Sequence, residues 1–173
     1  MPGLSLPDRV RLRIRTAEQY NDAADILGQK LTDTGPAQPI LRILAFEVLL
    51  KTAALVAKPT ERKKDHDYLT IWNSLSDNTR DDLLASAIEQ APLDCPDFDD
   101  LPKFLTSWQR VFLQGRYEYE TNEARSNEEI RSITDNWDGS PETADFAYYP
   151  QELEGLTRAL LRHLSTYLEQ SAS

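Results

Sequence analysis

This sequence has two histidines, the side-chain type whose ordinary pKa lies nearest neutral pH. His163 closes the run RALLRH, five residues after Arg158. An arginine can hold a phosphate through two parallel hydrogen bonds while a histidine moves a proton, so the pair is chemically suited to work on a phosphate. Geometry opposes it. Along a continuous helix five residues turn the chain by about 140°, which sends Arg158 and His163 to different sides and puts His163 near the edge of a leucine stripe. Two residues of an amphipathic terminal helix is the plainer account, and short motifs of this kind often occur by chance.

The other histidine, His66, lies between Asp65 and Asp67 at the start of an expected helix, where capping or hydrogen bonding is its ordinary use. Its functional alternative is a polar cluster with Glu47 and Arg116. Glu47 stands inside the apolar run ILRILAFEVLLKTAAL, one helical turn before Lys51, and a carboxylate buried there needs a partner. Arg116 and Glu120 are also one turn apart, the spacing of a plain surface ion pair. The candidate polar set is therefore Glu47, Lys51, His66, Asp67, Arg116 and Glu120. Asp94, Asp97, Asp99 and Asp100 lack the glycine and closing glutamate of a calcium loop and read as a solvated turn. A single cysteine, Cys95, beside two histidines is a poor inventory for zinc. No phosphate loop, dinucleotide fingerprint or nucleophile motif occurs, so no metal and no cofactor is expected.

Helices must position these groups. Arginine alternates with Val10, Leu12 and Ile14 in RVRLRIR, the period of an extended segment, which predicts a basic N-terminal arm over residues 1–15. Thr16 can cap a first helix carrying Tyr20, Ala23, Ala24, Leu27 and Leu31. The central helix runs from about Ile40 to Ala57 with apolar stripes on two sides, Leu41, Leu44, Ala45 and Val48 on one and Ile43, Phe46 and Leu50 on the other. A helix apolar on two sides is either central or at an interface, and this pattern predicts a homodimer. Further helices are expected from Asp65, from Asn78 or Thr79, from Pro102 to Glu123 or beyond, and from Pro150, with a long, partly packed loop over 122–150 that has room for one short helix. The result is an all-α bundle of about five to six helices, a single domain over residues 16–170 behind the arm.

AFEVLLK in a long helix, HDYLTIWNSL after a charged turn, and a tryptophan followed by RYEYE together resemble the HEPN superfamily of small helical-bundle proteins. The resemblance spans roughly residues 38–120 and rests on Ala45, Glu47, Leu50 and Lys51, on His66, Asp67, Leu69 and Leu75, and on Trp108, Arg116, Tyr117, Tyr119 and Glu120. It implies an all-α bundle, frequent homodimers, and roles in RNA cleavage, nucleotide binding or toxin–antitoxin and defence systems. In that last setting a cognate nucleotidyltransferase would be the protein partner. Active members carry an arginine, four to six residues, then a histidine, and work without metal in a cleft between two protomers. Arg158 and His163 match that count, but Ala159 replaces the polar residue that often follows the arginine. The resemblance thus implies a non-catalytic or degenerate interaction module, with a metal-independent endoribonuclease as its rival.

Charge restricts the partners. The total is −10, and four arginines against Asp8 leave the first fifteen residues at +3 and the remaining 158 at −13. Most of this surface repels polyanions, so RNA is disfavoured, while an acidic inhibitor or antitoxin that binds a basic partner is a third reading. No run reaches the roughly 20 apolar residues of a membrane span, and the opening MPGLSLPDRV does not have the pattern of a signal peptide. With its one cysteine, the chain is expected in the cytoplasm and away from membranes.

Overall fold

A computed structural model describes residues 3–30, 37–59, 66–91, 98–115, 123, 125–136 and 148–172. Seven helices are present among them, α1 Leu6–Lys30, α2 Ala37–Ala57, α3 Tyr68–Asn73, α4 Asp77–Gln90, α5 Leu101–Gly115, α6 Asn127–Asn136 and α7 Pro150–Ser171, with no strand. The all-α bundle holds, with more helices than the five to six expected. No helix among the described residues is long and apolar enough to cross a membrane.

The extended arm does not form. Residues 6–15 are the first turns of the 25-residue helix α1. Its start is set by Ser5, whose hydroxyl accepts from the Asp8 amide at 3.3 Å and donates to the Asp8 carboxylate at 2.5 Å. That reciprocal arrangement resembles a capping box, and it holds the Asp8 pKa below the ordinary range. Alternation misled because only one member of the Val10, Leu12 pair goes inward: Val10 is fully buried and Leu12 is 54% exposed. The inward row is Val10, Ala17 and Ala24, spaced by two helical turns. Thr16 is no cap either, since its hydroxyl donates to the Leu12 carbonyl within α1.

The centre of the bundle is α2, which packs against α1, α3, α5 and α7, while α4 lies on α7. Ile43, Phe46, Leu49 and Leu50 are fully buried, as is Ala45 on the opposite stripe. Helices of the same chain therefore bury the Ile43, Phe46 and Leu50 side of α2, while on the opposite stripe Leu41, Leu44 and Val48 are half-buried around the buried Ala45. At its hydrophobic contacts Phe46 meets Tyr68 and Trp108 edge to face, with ring centroids 5.7 and 5.2 Å apart. Close approach of α4 and α7 requires Gly155, where an added Cβ would stand 2.9 Å from the Ala87 carbonyl oxygen.

Helix starts shift slightly from expectation. Asp67 caps α3 and Ser76 caps α4. At α5 the Asp100 carboxylate accepts from the Lys103 amide at 3.3 Å, so one member of the acidic run serves the backbone. Pro150 opens α7 behind Tyr149, whose φ of 37° is left-handed. Asp65, Asp94, Cys95, Asp97, Arg116, Tyr117, Tyr119, Glu120 and residues 122, 124 and 137–147 of the expected 122–150 loop lie outside the described residues, and the middle of that loop is the helix α6.

Candidate functional site

Glu47 is the chemical centre of the bundle. Its place on α2 puts the carboxylate against the core, where it is only 5% exposed. Three donors converge on it: Lys51 Nζ reaches Oε1 at 2.9 Å, while His66 Nδ1 and the Tyr68 hydroxyl reach Oε2 at 2.8 and 2.7 Å. Lys51 is delivered by helical spacing, one turn along α2. His66 and Tyr68 are delivered by the start of α3. There the Asp67 side chain accepts from the Thr70 amide at 2.9 Å and from the Thr70 hydroxyl at 2.7 Å, fixing the turn that aims its two neighbours at α2.

Burial drives the Glu47 pKa upward, but the hydrogen bonds from His66, Lys51 and Tyr68 outweigh it, leaving the value below the ordinary carboxylate range. An ionised carboxylate only accepts, so His66 Nδ1 carries the hydrogen in this contact and Nε2 is the ring atom left to exchange a proton. The ring packs at 5.1 Å from that of Phe112 on α5. In catalytic pairs of other proteins a histidine oriented by a carboxylate acts as base toward a hydroxyl or thiol. The hydroxyl beside it, on Tyr68, already donates to Glu47. The cluster joins α2, α3 and α5 into one unit.

Of the six polar residues expected here, Glu47, Lys51 and His66 come together, Asp67 serves as the cap that orients His66, and Arg116 and Glu120 lie outside the described residues. Tyr68, absent from the six expected polar residues, completes the cluster. Its signal was its position two residues after His66 and its hydroxyl, which a buried tyrosine must satisfy.

Arg158 and His163 are not brought together. Arg158 turns toward α4 and the α1/α2 side: its guanidinium pairs with Glu154 and donates to the Gln90 carbonyl at 3.3 Å. It lines a cleft between α1, α2 and α7. His163 lines a different groove, between α4 and α7, near Asp82. Burial lowers the His163 pKa and Asp82 acts against that, so the imidazole is neutral at pH 7. The arginine in its groove is Arg162, paired with Glu89 at 3.0 Å.

Among the described residues no group of three or more His, Cys, Asp or Glu side chains could hold a metal ion. No protein-family model, curated protein or solved structure matches this chain.

Proposed function

We propose that this protein is a HEPN-like helical interaction module in which the nuclease pair is degenerate. The observation that supports it best is the division of Arg158 and His163 between two clefts of the same protomer. The arginine is further engaged by the Glu154 carboxylate and the Gln90 carbonyl. The acidic body favours a protein partner over RNA. In a toxin–antitoxin setting that partner would be a nucleotidyltransferase.

Purified protein is expected to leave single-stranded RNA intact without added metal. Cleavage by the wild type that disappears in both Arg158→Ala and His163→Ala, with each variant folded by circular dichroism, would overturn the proposal. It would establish instead an endoribonuclease whose pair is completed across a dimer.

A further inference from the structure

The cleft that receives Arg158 has a volume of about 520 Å³ between α1, α2 and α7 and carries both charged and apolar side chains. This is in the size range of small-molecule sites. Its walls carry two ion pairs, Asp25 with Arg42 and Glu154 with Arg158. Tyr148 stands between them, near enough to feel the charges of both Arg42 and Glu154. The two pairs place both signs of charge on the cleft wall and sum to zero. An anion or a cation alone would meet an equal number of like charges, whereas a ligand holding both signs side by side meets its complement at each.

The donors for such a ligand are in place. Tyr148 lines the cleft and is only partly exposed. Burial, with Arg42 acting against it and Glu154 with it, pushes its pKa up to about 12, so the hydroxyl keeps its proton at neutral pH and donates. Arg42 uses Nη2 on Asp25, and no other described residue accepts from its guanidinium. The backbone holds this geometry independently of any ligand. The Tyr148 carbonyl takes the indole N–H of buried Trp108 at 3.0 Å, and the left-handed Tyr149 turns the chain into α7 directly behind it. Leu153 and Leu161 add an apolar wall.

The geometry points to a binding site for a free α-amino acid with an apolar side chain, its carboxylate held by Arg42 and Tyr148, its ammonium by Glu154, and its side chain against Leu153 and Leu161. This site is separate from the Glu47 cluster and does not rest on the interaction-module proposal, because it would serve an enzyme or a binding module equally.

Isothermal titration calorimetry of the full chain with L-leucine, N-acetyl-L-leucine, L-leucinamide and inorganic phosphate tests it. Leucine should bind saturably below 10 mM. The acetylated and amidated forms, each lacking one charge, should bind about tenfold or more weakly, and phosphate should not compete. Arg42→Gln should weaken leucine about tenfold or more. Tyr148→Phe, which keeps the backbone bond to Trp108, should weaken it several-fold while the melting temperature holds. No leucine binding at 10 mM would overturn the inference. So would equal binding of N-acetyl-leucine or phosphate, which would mean a plain anion site, or leucine affinity unmoved by both substitutions.

Discussion

The two histidines occupy opposite situations, and burial of a neighbouring acid makes the difference. His66 faces a carboxylate that the core has removed from water, and three donors gather there because an unpaired charge in that place would cost several kcal/mol. His163 sits half-buried on an amphipathic helix whose polar residues find partners separately: Arg158 with Glu154, Arg162 with Glu89. Necessity assembles the first group and nothing compels the second. Residue type alone suggested Arg158 and His163, and their helical spacing already set the two side chains apart.

Breaking the first region should cost most. Glu47→Ala leaves Lys51, His66 and Tyr68 without their acceptor, and the expected loss is about 3 kcal/mol or more. In a chain of this size that corresponds to a fall in Tm of roughly 6–12 °C, readable by calorimetry. An unchanged Tm would mean that the carboxylate is solvated. Tyr68→Phe removes one donor and keeps the ring against Phe46, so about 1–2 kcal/mol should be lost in urea unfolding.

Acid should act on the same centre. Because the folded pKa of Glu47 lies below its ordinary 4.5, its stabilisation is full above about pH 4.5 and is lost as pH falls through the folded value. Urea midpoints measured from pH 6 downward should therefore fall less steeply in Glu47→Gln than in the wild type. The second region should respond more weakly. His163 has a folded pKa below 6.5, so its contribution is complete above that pH and declines as pH drops. His163→Gln should remove a shallow dependence just below pH 6.5. Arg158→Ala, at a largely exposed ion pair, should change stability by no more than about 0.5–1 kcal/mol.

Much of this was legible from the sequence where one apolar pattern dominates. The two stripes of α2 announced a central helix, and the EVLLK spacing announced a buried carboxylate with a lysine one turn away. His66 was legible as a partner because a charged turn leads straight into α3. The start of α1 was not, since RVRLRIR satisfies a period of two as well as a helix whose buried row is Val10, Ala17 and Ala24. Only packing against α2 decides between them. Tyr68 was not legible as a cluster member, because the reach of its hydroxyl across 21 residues of sequence to Glu47 depends on how α3 docks. The chamber around Arg42 and Tyr148 joins α1 and α2 to α7 at the other end of the described chain and left no local pattern to find.

Double-mutant cycles measured by urea unfolding put the two regions on one scale. Glu47→Gln with His66→Gln should show a coupling of about 1 kcal/mol or more, whereas Arg158→Gln with His163→Gln should be additive to within about 0.3–0.5 kcal/mol. Additivity in the first pair, or a coupling near 1 kcal/mol in the second, would contradict the assignment of the molecule's polar centre to Glu47.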